Sequence, residues 1–231
     1  GGQWQEALAL ITAMCHAVLI PNTISYSSAI SACEKEANWQ IALALLAAMG
    51  KDIVKPDTIS FNAAISACEK CANWQTALDL LVYMDRAVVE PDTISYNAAI
   101  SACEKGADWE TALALLATMG VITVETDTIS YNAAISACWK HATWQTVLVL
   151  LEAMGQAAHA PQTFSYNVAF GACEKCAHWQ TAPSLLAAMG QAASATMLQF
   201  VHGGWVLKRR QRLFRLPQLA GSGSSSGSSS G

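Results

Sequence analysis

Thr93-Ile-Ser-Tyr-Asn-Ala-Ala-Ile-Ser-Ala-Cys-Glu-Lys105 is one copy of a stretch that recurs every 35 residues, starting at Thr23, Thr58, Thr93, Thr128 and Thr163. The five copies keep that spacing without insertion or deletion. Self-similarity at a fixed period of this length marks a stack of supersecondary units, none of which can bury its apolar face alone. Such a stack offers one extended surface in place of one pocket.

Within Thr93 to Asp127 the first half places Tyr96, Ala99, Ile100 and Cys103 at i, i+3, i+4 and i+7, the apolar stripe of a helix. We call it helix A; Asp92 is placed to cap its start and it should end near Lys105 and Gly106. The second half repeats the helical spacing at Trp109, Ala112, Leu113, Leu116 and Met119, with Asp108 as cap. Gly120 then reads as the stop signal of this helix B. Two short helices per period predict an all-α fold, a right-handed superhelical α-solenoid of stacked helix-turn-helix hairpins.

The register divides the chain. Residues 1–22 read as a partial repeat holding only a helix B, Trp4 to Met14. Full repeats follow at 23–57, 58–92, 93–127, 128–162 and 163–197. The last is degenerate, because Pro183 inside its helix B removes a backbone hydrogen bond and clashes with the turn before, at about 3 kcal/mol. Residues 198–220, with Lys208, Arg209, Arg210, Arg212 and Arg215 beside Trp205, Leu213 and Phe214, read as a cap or a basic tail. Residues 221–231 contain only Gly and Ser and read as a flexible linker. The chain starts at Gly1 in mid-repeat without an initiator Met, as a fragment would, and no targeting signal can be read.

Of 231 residues, 53% are apolar and 13% charged, yet no uninterrupted apolar run reaches the roughly 18 residues of a membrane span. A net charge of −4 argues against a generally basic nucleic-acid binder and leaves room for a local basic row. Five of the eight cysteines, Cys33, Cys68, Cys103, Cys138 and Cys173, hold one repeat position and read as core residues. So do the tryptophans Trp4, Trp39, Trp74, Trp109, Trp144 and Trp179, and the methionines Met14, Met49, Met84, Met119, Met154 and Met189. Rows at repeat spacing point to packing between repeats.

The Cys68-x-x-Cys71 and Cys173-x-x-Cys176 pairs are each half of a zinc site, but they lie 105 residues apart, three whole repeats. No metal and no cofactor is expected. None of the five histidines is followed two residues later by Glu, which excludes the zinc deaminase signature. No serine elbow or phosphate loop stands outside the repeats, so no enzymatic activity is expected.

The Thr-Ile-Ser-Tyr-Asn opening, the Cys-Glu-Lys at mid-repeat, the Ala-Leu-x-Leu-Leu-x-x-Met and the closing Pro-Asp resemble the pentatricopeptide repeat family in its plain 35-residue form, from Gly2 to about Met189. The resemblance implies binding of single-stranded RNA, about one base per repeat. In that family the fifth residue and the last read the base, and the second wedges against it. Carried onto this chain, the readers are Ser27 with Asp57, Asn62 with Asp92, Asn97 with Asp127, Asn132 with Gln162, and Asn167 with Met197. The wedges are Ile24, Ile59, Ile94, Ile129 and Phe164. By family pairing, Asn with Asp favours U and Ser with Asp favours G. The implied core is 5′-GUU followed by a pyrimidine, with Gln162 and Met197 departing from the usual last residue.

Lys35, Lys70, Lys105, Lys140 and Lys175 hold one position and would form the cationic row along the phosphates. A second reading gives them to the negative end of the helix dipole. The closing Asp and the first-turn Asn likewise have structural readings, as a helix cap and as a local backbone partner. The resemblance also implies a plastid or mitochondrial setting, a monomer, and action by occupancy on RNA processing, stability or translation. Two other readings stand beside it. One is a protein-binding helical scaffold; the other is a fragment without activity of its own.

Overall fold

The computed structural model describes residues 3–175, apart from 123, 142, 143, 158 and 160, together with Leu185. Among the described residues there are ten helices and no strands. They are α1 (Gln3–His16), α2 (Thr23–Lys35), α3 (Trp39–Lys51), α4 (Thr58–Lys70), α5 (Trp74–Arg86), α6 (Thr93–Gly106), α7 (Trp109–Val121), α8 (Thr128–Lys140), α9 (Trp144–Gln156) and α10 (Thr163–Lys175). The even-numbered helices are the A helices. Pro183, Trp179, Met189, Met197, Cys176 and the basic segment 198–220 lie outside the described residues. No described helix is long and apolar enough to cross a membrane.

Helix starts follow the polar residues just before them. Asn22, Asp57, Asp92 and Asp127 each accept the backbone N–H three residues on, at the start of α2, α4, α6 and α8. Asn38, Asn73 and Asp108 do the same for α3, α5 and α7. Each cap satisfies one of the orphan donors of a first turn and is worth about 1 kcal/mol.

The helix ends depart from the sequence reading. Gly120 does not stop α7, which runs on to Val121; Gly50 and Gly155 likewise sit inside the last turns of α3 and α9. The left-handed residues that end the helices are not glycines. They are Ala37, Ala72 and Ala107 after A helices, and Val18, Ile53 and Val88 after B helices, all with φ between 55° and 62°. Behind each, a 6→1 bond closes the turn, as from Val54 N–H to the Met49 carbonyl (2.9 Å) and from Asn73 N–H to the Cys68 carbonyl (3.0 Å). The fixed turn geometry demands a left-handed residue at that point, and a β-branched side chain there is strained.

Every A helix packs on the next, α2 on α4, α4 on α6, α6 on α8 and α8 on α10. Each also packs against the described B helices that precede and follow it, which for α10 is the preceding one, α9. Successive B helices have no comparable mutual contact among the described residues. This one-sided closeness comes from small side chains. In α4, Ser60, Ala63, Ala64, Ala67 and Cys68 are all buried, and the same positions are buried in α6 and α8. Tight A rows and looser B rows bend the stack, with the A helices on the inner side of an α-solenoid.

The core rows match the spacing argument. Cys33, Cys68, Cys103 and Cys138 are fully buried and Cys173 nearly so. Burial pushes the Cys68 and Cys103 thiols up to about 12, so they are packing residues and not thiolates. Met49, Met84, Met119 and Met154 are fully buried. The described tryptophans of this row are half-buried, and Trp74 bridges repeats: a Cβ on Gly106 of α6 would lie 2.3 Å from its ring, in the repeat before.

Candidate nucleic-acid interface

The inner face is built from the first turns of the A helices. Ile24, Ile59, Ile94 and Ile129, all at the second repeat position, are 60–73% exposed, and Phe164 is 52% exposed. Large apolar side chains left open at one position in five successive units mark a surface kept for contact.

Between the wedges lies a hydrogen-bonded chain that crosses the three repeat boundaries at 92/93, 127/128 and 162/163. Asn62 Nδ2–H donates to Asp92 Oδ1 at 3.1 Å, and the Ser95 hydroxyl donates to Asn62 Oδ1 at 2.5 Å. One repeat on, Asn97 Nδ2–H donates to both Asp127 oxygens at 3.1 and 3.2 Å, and the Ser130 hydroxyl donates to Asn97 Oδ1 at 2.5 Å. In the fourth repeat the Ser165 hydroxyl donates to Asn132 Oδ1 at 2.6 Å, and no bond joins Asn132 to Gln162. The serine and carboxylate partners fix which end of each amide is oxygen, because a carboxylate can only accept. After these bonds each Asn keeps a free Nδ2 hydrogen and a free Oδ1 lone pair.

The closing aspartates therefore hold two positions at once. Asp92 and Asp127 cap α6 and α8 of the following repeats, and they orient the Asn of the repeat that each one closes. Burial would raise the Asp127 carboxyl. The Ser130 backbone N–H, the Ser130 hydroxyl and the Asn97 amide outweigh it and hold the group below its ordinary value. The sequence reading placed cap and reader roles side by side and did not see the serine. Its signal was available: a Ser at the third position of every copy, Ser60, Ser95, Ser130 and Ser165 all fully buried, the last three each 33 residues after the Asn of the repeat before.

The predicted reader pairs differ in how they come together. Ser27 is buried and its hydroxyl donates to the Ile24 carbonyl at 3.2 Å; it is not bonded to Asp57, which caps α4. Asn62 and Asn132 are half-buried, Asn167 is exposed, and Asn97 keeps 9% exposure. A groove of about 260 Å³ opens between Ile129 and Phe164, with Asn132, Ala133, Ser136, Ser101 and Glu104 on its floor and sides. A second hollow of about 570 Å³ lies beside Asp57 and Asp92, lined by Thr58 and the loop from Val88 to Pro91.

The lysine row is not a row of bare cations. Lys70 lies 3.2 Å from Glu34, Lys105 2.9 Å from Glu69, and Lys140 3.5 Å from Glu104. Each pair spans 36 residues, so the glutamate belongs to the repeat before, not to the same helix turn. Lys70 and Lys140 also donate to the backbone carbonyl of that glutamate, at 2.9 and 2.7 Å. Lys35 makes no ion pair among the described residues, and the side chain of Lys175 lies outside them. These exposed pairs contribute at most about 1 kcal/mol each and can exchange partners.

The fourth repeat departs from this ladder. Trp139 stands where the other copies have Glu34, Glu69, Glu104 and Glu174. Opposite it, Gly171 stands where they have Ser31, Ser66, Ser101 and Ser136. A Cβ on Gly171 would come within 2.6 Å of the Trp139 indole nitrogen, so the glycine makes the room that the indole occupies.

Three family profiles match the chain. The one described as a pentatricopeptide repeat domain covers residues 10–71, that of the PPR repeat family 56–105, and that of the PPR repeat 94–121. No curated protein matches at the sequence level. Among solved structures, the maize pentatricopeptide repeat protein PPR10 aligns with a TM-score of 0.65 at 23% identity, over 84% of this chain and 28% of that one. PPR10 in complex with an 18-nt psaJ RNA element aligns at 0.63 and 21% identity, over 93% and 32%. The PPR domain of Arabidopsis thaliana protein-only RNase P 1, in complex with tRNA, aligns at 0.65 and 12% identity, over 79% and 95%. These likenesses concern the fold, and the chain spans under a third of the maize protein's length.

Proposed function

The chain belongs to the pentatricopeptide repeat family, and on that premise we propose that its inner face binds single-stranded RNA, about one base per repeat. The observation that carries this reading is the pair of latched amides, Asn62 on Asp92 and Asn97 on Asp127, each set between exposed wedges. The structural neighbours captured with RNA support the same assignment.

The chemistry of the latch favours one class of base. The carboxylate can only accept, so it suits a base edge with an imino N–H, uracil or guanine, over cytosine or adenine. The free Nδ2 hydrogen of Asn62 or Asn97 then meets a carbonyl of uracil. Ser27 with Asp57 leaves more room and suits the larger guanine. The sequence read is 5′-GUU, followed by one base at Asn132, where no carboxylate stands beside the amide. Asn97 and Ser27 are nearly covered, so a base edge reaches them by entering the gap between successive isoleucines.

Three lysines exchange Glu34, Glu69 and Glu104 for phosphates as RNA binds, so the gain per contact is small and falls with salt. The protein acts by occupancy, masking a short segment or keeping it unfolded, as a monomer in a plastid or mitochondrion. Filter binding with RNA containing 5′-GUUU and a scrambled control tests the reading. Preference for 5′-GUUU with a negative salt slope supports it. Equal or absent binding of both at low salt, with the helical content intact, overturns it in favour of a protein-binding scaffold. Asn97→Thr should move the third-base preference from U towards G.

A further inference from the structure

Resting on that reading, we infer that the junction of the fourth and fifth repeats is a stacking anchor. There Phe164 holds a base of any identity, and the site contributes affinity in place of discrimination.

Four observations carry the inference. The wedge position holds an aliphatic residue in the four earlier repeats and an aromatic ring only at Phe164. That ring is half exposed and forms one wall of an open groove whose other wall is Ile129. Asn132 lies between the two walls, with its Oδ1 already accepting from Ser165 and its Nδ2 without a partner. Gln162, exposed, stands where the second and third repeats have an aspartate, and it makes no bond to Asn132.

The chemistry separates this site from its neighbours. Where Asp92 and Asp127 hold the Asn amide, the carboxylate admits a base with an imino N–H and disfavours the others. At Asn132 that carboxylate is missing. Gln162 can donate or accept, and so can the amide of Asn132, so the polar side of the site accepts any Watson–Crick edge. The apolar side has gained a π-face, and every base has one. Stacking on an aromatic side chain is worth about 1–3 kcal/mol per base and tolerates sequence. The groove is continuous with the file of wedges, which makes an RNA base its occupant.

The test uses the full chain and short RNAs carrying 5′-GUUX, with X as U, C, A, G or an abasic site. The inference expects the four bases to bind within a few-fold of one another, and the abasic RNA to bind about 5- to 150-fold more weakly. Phe164→Ala should cost the base-bearing RNAs the same factor and leave the abasic one unchanged. Phe164→Ile should recover part of the loss. Abasic RNA binding as tightly as 5′-GUUU, while the third-base preference for U persists, overturns the anchor alone. Loss of the third-base preference together with all binding overturns the RNA reading itself. Phe164 is half exposed and its replacement leaves the core intact, and the abasic RNA tests the inference without any variant.

Discussion

Two neighbouring parts of one solenoid solve the same packing problem with different chemistry. At the junctions after the second and third repeats, a carboxylate caps the next helix, grips the Asn of the previous one, and a lysine–glutamate pair ties the outer edge. At the junction after the fourth, Gln162, Trp139, Gly171 and Phe164 replace the corresponding Asp, Glu, Ser and Ile. The A helices that follow these junctions, α6, α8 and α10, all start at the first repeat position. A repeat scaffold therefore tolerates a change of junction chemistry, provided that the replacements fit each other, as Gly171 fits Trp139.

The sharpest way to break the comparison is at the closing residue. Asp127→Ala removes a cap and leaves the Asn97 amide without its acceptor, an expected loss of about 2–3 kcal/mol in denaturant unfolding. Gln162→Ala should change stability by less than about 0.5 kcal/mol. Asp127→Asn keeps a cap and loses the charge. Because the folded-state value of Asp127 is lowered, its contribution is full above the ordinary value of 3.8 and is lost as pH falls through the lowered one. The stability difference between Asp127→Asn and the parent should therefore shrink over that acid range and stay constant above about pH 5.

Gly171→Ser restores the residue of the other copies and drives a Cβ into Trp139. It should cost about 1–3 kcal/mol alone and close to nothing in a Trp139→Glu background, a double-mutant cycle that measures the fit directly. Val88→Gly should stabilise by about 1 kcal/mol, read from the unfolding midpoint, by relieving a β-branched residue at φ 58°. Least of all, Glu69→Gln or Glu104→Gln should move stability by at most about 0.5 kcal/mol. Each should raise RNA affinity a few-fold at low salt by releasing Lys105 or Lys140, a gain that filter binding at two salt concentrations would read.

Much of this was legible in the sequence. The period gave the hairpins, the apolar spacing gave Tyr96, Ala99, Ile100 and Cys103 as core, and Asp92 and Asp108 announced their caps. What escaped reading lies across repeats or in backbone strain. The pairing of Lys105 with Glu69 and of Ser130 with Asn97 depends on the offset between stacked helices, which a period does not contain. Gly120 misled because glycine is the usual left-handed stop, and here the turn geometry puts that conformation on Val18, Ile53 and Val88 instead. Gly171 was passed over because its meaning exists only beside Trp139.

The Ser130–Asn97–Asp127 chain sets the recognition unit out of phase with the structural one. Each asparagine is held by two groups that lie past the end of its own hairpin, so a reader is completed only when its C-terminal neighbour folds against it. Anyone shuffling these units to change specificity should cut within the hairpin and carry the junction whole, because a block trimmed from Thr to Asp leaves its own Asn without the following Ser.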